Sequence, residues 1–177
     1  MRGGPRPRRW WITLLALAAI PVGAAAWYLA SPLFISKTVN EGFPQVARQP
    51  VSQVLDTAGA LSPVKRGRLH DGDSFHKGSG QAVVYRLPDG AYSLRLENLN
   101  VTNGPDLYVV LSPNINPMSA AEVTAPGYLE VSILKGNLGN QNYPLPAGVD
   151  LASLKSLVIF CKQFGVVFSV APLDTAG

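Results

Sequence analysis

Gln81-Ala82-Val83-Val84-Tyr85-Arg86-Leu87-Pro88-Asp89-Gly90-Ala91-Tyr92-Ser93-Leu94-Arg95-Leu96-Glu97 decides the fold class. Residues 81–87 are rich in strand formers. Pro88-Asp89-Gly90 then supplies turn chemistry, because proline presets φ and glycine accepts positive φ. Beyond the turn, Tyr92, Leu94 and Leu96 alternate with Ser93, Arg95 and Glu97. A period of two marks a strand with one buried and one wetted face. The two runs together read as a hairpin.

Further strands follow on either side. Residues 107–111 and 157–161 are continuously apolar, as central strands are, and Leu129, Val131 and Ile133 alternate with Glu130 and Ser132. Phe164, Val166, Phe168 and Val170 fall on one face of a last strand. With residues 68–75 the candidates number seven, and residues 117–123 have room for one helical turn. No long amphipathic helix is available to cover a sheet, so two sheets must cover each other. The expected fold is all-β, an antiparallel β-sandwich. The loop at residues 112–127 and the Asn-rich stretch at residues 136–143 are its natural contact surfaces.

The N-terminal part has a different character. Residues 10–35 carry no charged side chain. As a helix they would span about 39 Å, enough to cross a bilayer. Trp10, Trp11, Trp27 and Tyr28 suit the two interfaces. Arg2, Arg6, Arg8 and Arg9 precede the run, which favours a cytoplasmic N-terminus. The rival is a cleaved signal peptide, with Ala24-Ala25-Ala26 as the small-residue site; the length of the run favours the anchor. Either route exports the remainder, so the expected location is the membrane, with the domain outside the cytoplasm. The expected organisation is a basic tail (residues 1–9), a transmembrane helix (10–35), a spacer (36–63), the β domain (64–173) and a short tail (174–177).

Lys and Arg total 15 against 11 Asp and Glu. The arginines ahead of the apolar run account for the whole excess. There is no basic stripe with interleaved aromatics, and the sequence gives no reason to expect a nucleic-acid partner. Hydrolase elbow, P-loop, dinucleotide and His-Glu-x-x-His motifs are missing, so no catalytic residue is indicated.

Cys161 is the sole cysteine. It is open to four readings: core filler, redox-active thiol, metal or cofactor ligand, or intermolecular bridge. Lys162, next in the strand, should point to the opposite face and leave the thiol alone. His70 and His76 are the only histidines, and one His with one Cys falls short of a zinc site. Asp71 and Asp73 bracket Gly72, and Asp106 follows Gly104-Pro105; turn chemistry accounts for all three better than calcium or acid catalysis does. Asn100-Val101-Thr102 matches a short and common glycosylation pattern.

An ordered set of segments resembles a known family: Phe75-His76 with Gly78 and Gly80, Gly104-Pro105-Asp106-Leu107, Leu134-Lys135-Gly136-Asn137, Gly139 to Pro146, Val158-Ile159-Phe160-Cys161, and Val166 to Leu173. The chain is similar to the electron-transfer DM-thirteen domain over roughly residues 64–173. The family's usual residue before the cysteine is Trp, and here it is Phe160. The resemblance implies a DOMON-like sandwich and a redox role for Cys161, as a bare thiol or as a ligand of a prosthetic group such as haem. His76 is then the candidate second ligand, and Phe160 or Phe164 the shield of the site. The cofactor and the redox or protein partner stay unknown at this level. The competing reading is an exported binding or scaffold sandwich, with Cys161 filling the core.

Overall fold

The computed structural model describes Leu15, residues 17–24, Trp27, residues 35–44 and residues 61–176. The chain divides into two units, Met1–Ile35 and Ser36–Gly177. In the first, Leu15, residues 17–24 and Trp27 are helical, and Leu17, Ile20 and Val22 are exposed. Among the described residues no helix is long and apolar enough to cross a membrane. The expected anchor at residues 10–35 and tail at residues 1–9 lie largely or wholly outside the described residues.

The second unit is two stacked sheets. One has six strands in the order β1 (Thr38–Asn40), β8 (Leu138–Pro144), β5 (Tyr92–Val101), β4 (Gly78–Arg86), β2 (Ser62–Arg68), β11 (Asp174–Thr175). The other has five, in the order β3 (His70–Asp71), β10 (Val166–Pro172), β9 (Ser156–Cys161), β6 (Leu107–Ser112), β7 (Leu129–Ile133). The β4–β5 hairpin forms as its sequence dictates, with Gly90 at φ +85° and Gly90 N–H donating to the Leu87 carbonyl. Leu94 and Leu96 enter the main core between the sheets, with Val109, Leu111, Tyr143, Leu157 and Ile159. A smaller apolar cluster of Val110, Val158, Phe160, Val167 and Val170 lies on the other face of the five-stranded sheet. The short helix α1 (Ala120–Val123) brings Val123 to it, and Ser119 and Glu122 close a capping box at the helix start.

Four expectations are corrected. Residues 68–75 are not one strand: β2 ends at Arg68, β3 is two residues long, and residues 72–76 turn, closed by Gly72 N–H donating to the His76 carbonyl. The Asn-rich stretch at residues 136–143 is not a free loop but largely β8, whose Gln141 and Tyr143 face inward. Phe164, Val166, Phe168 and Val170 do not share a face. Phe164 is exposed in the β9–β10 turn, and a bulge between Val167 and Ser169 keeps Phe168 inward while sending Val170 to the outer cluster.

The fourth concerns the spacer. Residues 36–44 are part of the domain: β1 pairs in parallel with β8, Thr38 against Leu138 and Asn40 against Asn140. We call these residues the strap. Glu41 takes the Lys135 ammonium at 2.8 Å and the Asn142 N–H at 2.7 Å, and Arg95 donates to the Gly42 carbonyl at 2.8 Å. Phe43 lies under the Arg95 guanidinium at 4.5 Å and meets the Tyr85 ring edge-on. At Gly136 and at Gly139, the latter with φ +100°, any Cβ would strike the strap backbone.

Candidate functional site

Cys161 is the last residue of β9, opposite Leu107 on one side and Val166 on the other. It shares the main core with Ile159, two residues back, as strand alternation requires. The residue is 1% exposed, and its thiol donates to the Pro105 carbonyl at 3.1 Å. Residues 104–106 therefore sit over the end of β9. Asp106 holds the turn at φ 55°, and its carbonyl accepts the Lys162 N–H at 3.2 Å.

Neither aromatic expected to shield the thiol does so. Phe160 is buried, but on the opposite face, in the outer cluster. Phe164 is 64% exposed. Lys162 also faces away, as its position predicts: it pairs with Glu130 at 2.9 Å and lies over the Tyr108 ring.

Phe168 is the aromatic that closes this end of the core. Its ring occupies the space that a side chain at position 104 would need, so Gly104 gives it clearance. The His76 ring packs against Phe168 with centroids 4.2 Å apart. His76 Nδ1 is 2.7 Å from Asp73 Oδ2, whose carboxylate also accepts the backbone N–H groups of Phe75 and His76. His70 contacts the Asn116 amide and the Asp71 carbonyl, away from His76. His70 and His76 thus do not form a pair, because the turn at Gly72 separates them.

The arrangement does not form a haem ligand pair. The thiol is sealed in packed core and bonded to a carbonyl. The imidazole lies against an aromatic ring and is bonded to a carboxylate. Among the described residues no group of three or more His, Cys, Asp or Glu could hold a metal ion. As folded, the site can keep one thiol out of water and out of reach of reagents.

The hydrogen bond from His76, then the two backbone N–H groups, hold the Asp73 carboxyl down from its usual 3.8 to about 2. A lowered pKa stabilises the fold above the unfolded value, and that stability is lost as pH falls through the folded value. Asp73→Asn is therefore expected to melt below wild type at neutral pH. The gap should close between pH 3.8 and about 2. Thermal melts of both proteins across this range check it; a gap that persists at the acid end would show that Asp73 acts by packing and not by charge.

Sequence reasoning missed Pro105 as the thiol's partner and Phe168 with Gly104 as the closure. It also missed Lys135, Gly136, Gly139 and Asn142 as the strap's receptor. The clustered glycines and asparagines were the available signal for these. A glycine inside a strand, as Gly139 is in β8, often marks the close approach of another backbone.

Compared with known proteins, residues 71–173 match the family model described as "Electron transfer DM13". No curated protein and no solved structure matches the chain. The matched span runs from the start of the turn that carries His76, through residues 104–106, to the end of β10, and so contains Pro105, Leu107 and Val166, the residues paired with or bonded to Cys161.

Proposed function

We propose that this chain, which belongs to the Electron transfer DM13 family, is a redox-related module, held at the membrane by its N-terminal apolar run with the β domain outside the cytoplasm. The observation that carries the reading is the position of Cys161. The one thiol of the chain stands at the end of a central strand, inside the family-matched region, beneath the turn at residues 104–106. The thiolate is the reactive form. Opening residues 104–106 would strip the thiol of its carbonyl partner and expose it to a reaction partner. A second reading has its own support: burial to 1% and a satisfied thiol are also what a core-filling cysteine shows. In that case the domain is a binding or scaffold sandwich.

Two measurements on the purified full chain separate the readings, a visible spectrum and a thiol titration before and after denaturation. The redox reading expects Cys161 to react in the native protein, more slowly than when unfolded, or a chromophore that Cys161→Ala loses while the domain stays folded. A colourless protein whose thiol reacts only after denaturation sinks that reading and leaves the scaffold.

The anchor and the location rest on the uncharged run and on the four arginines ahead of it. A reporter fused after Gly177 is expected to be active only when it works outside the cytoplasm. Activity of a cytoplasm-restricted reporter at that position would overturn the topology.

A further inference from the structure

The strap enters the β domain at one end of the sandwich. There β1, β4, β6, β8 and β10 begin, and β5, β7 and β9 finish. Residues 102–106, between β5 and β6, and residues 134–137, between β7 and β8, join the two sheets across this end. The strap is fastened to both connections. The Ser36 hydroxyl accepts from the Asn103 side-chain amide at 3.3 Å and from that of Asn137 at 3.5 Å. The Lys37 N–H donates to the Asn137 side-chain carbonyl at 2.7 Å. The domain therefore holds the chain from Ser36 onward, and the uncharged run of residues 10–35 ends at the residue before it. The sequence leaves no residue between the two to act as a spacer.

The same end presents apolar side chains to solvent. Phe75 is 82% exposed and Phe164 64%, the highest values for large apolar side chains among the described residues of this unit. Each stands on a closed turn. The Asp73 carboxylate takes the Phe75 N–H at 2.7 Å, and the residue after Phe75 but one, Lys77, is joined to Thr102 through both backbone groups. Gly165, at φ +65°, closes the turn behind Phe164, and Lys162 ahead of it bonds Asp106. Ile133, at the end of β7, is more than half exposed. The lysines here are paired, Lys77 with Asp71 at 3.0 Å and Lys162 with Glu130 at 2.9 Å. Grouped apolar side chains with a polar rim mark a contact with another protein or with a membrane. Phenylalanine is among the residues that enter the boundary between headgroups and acyl chains. The point of chain entry decides between the two, because a surface that follows an apolar run without a spacer is held against whatever that run enters.

We propose that this end of the β domain lies on the lipid bilayer, with the Phe75 and Phe164 rings inserted at the headgroup boundary and Ile133 beside them. The proposal rests on the membrane anchor proposed above and adds the face on which the domain meets lipid. Residues 104–106 belong to the same end, so the turn over Cys161 faces the membrane, and a partner that engages it approaches along the membrane surface.

Photolabelling of the purified full chain in phosphatidylcholine vesicles tests this. The probe is a phosphatidylcholine with a diazirine on its acyl chain close to the ester; light converts it to a carbene that inserts into whatever it touches. Peptide mass spectrometry locates the adducts. They are expected in the run at residues 10–35 and in residues 72–76 and 162–165, and not in the hairpin turn at residues 87–91, at the opposite end of the sandwich. Phe75→Ser combined with Phe164→Ser should remove the domain adducts and keep those of the run, at an unchanged melting temperature, because neither ring is part of the core. Adducts in the run alone overturn the orientation and leave the anchor standing. So do domain adducts that survive the double substitution, or labelling at residues 87–91 equal to that at residues 72–76. A run without adducts overturns the anchor, and the orientation falls with it.

Discussion

Phe168→Ala is expected to cost about 3–5 kcal/mol of folding stability, the range for removing a large aromatic from a packed core. The ring is 4% exposed and is placed inward at the bulge between Val167 and Ser169. Gly104 has no side chain to collapse into the vacated space, and His76 is tied to Asp73. The cavity should therefore stay open, which puts the cost toward the upper part of the range. The change should also loosen residues 104–106, so that the Cys161 thiol reacts faster with a reagent in the native state. Denaturant unfolding with a thiol titration on the same sample checks both. A cost under about 1 kcal/mol, the level of surface substitutions, would mean that the ring does not fill the core.

Arg95→Ala is expected to be almost as damaging, near the lower end of the roughly 3–5 kcal/mol seen when one partner of a buried ion pair is removed. The Arg95 side chain is 6% exposed, whereas Glu97 keeps 23% and regains some water when left alone. The guanidinium also serves the Gly42 carbonyl, the Asn142 amide and the Phe43 ring, so its loss undoes the strap as well as the pair. Hydrogen exchange should show the Glu41 amide, which donates to the Asn140 carbonyl, losing protection ahead of the β4 and β5 amides. Uniform loss across the sheet would mean that Arg95 supports the fold as a whole and not the strap in particular.

The elements legible in the sequence are those whose own side chains pay for their burial. The β4–β5 hairpin announced itself through Pro88-Asp89-Gly90 and the alternation of Tyr92, Leu94 and Leu96. β6, β7 and β9 did so through apolar content. β8 was hidden because its outward residues are Asn140 and Asn142, whose partners are Asn40 and the Gly42 carbonyl of the strap. No local pattern reveals a partner about a hundred positions away. The inward residues of β8 are hidden for a related reason. Gln141 is fully buried by donating to the Gly136 carbonyl and accepting the Tyr143 hydroxyl at 2.6 Å. Burial pushes that phenol up to about 12. At the site, alternation alone put Cys161 and Lys162 on opposite faces; that Cys161 is the inward one is a finding of the structure. The same rule separates Phe160 from Cys161, and it was the family motif that drew the two together. The bulge at Phe168 could not be read, because it adds a residue without changing composition.

The strand order has a practical consequence for any shortened form of the protein. In the six-stranded sheet the family-matched residues 71–173 supply only β8, β5 and β4; β1 closes one side from the N-terminal direction, while β2 and β11 close the other. A chain trimmed to that match would bare the N–H and C=O rows of β8 and β4 together, two long templates for intermolecular pairing. It would also uncover Arg95 and Lys135 without Glu41. Such a fragment would be prone to aggregate for reasons unrelated to the site at Cys161. The smallest form that seals both sides of the sheet begins at Ser36.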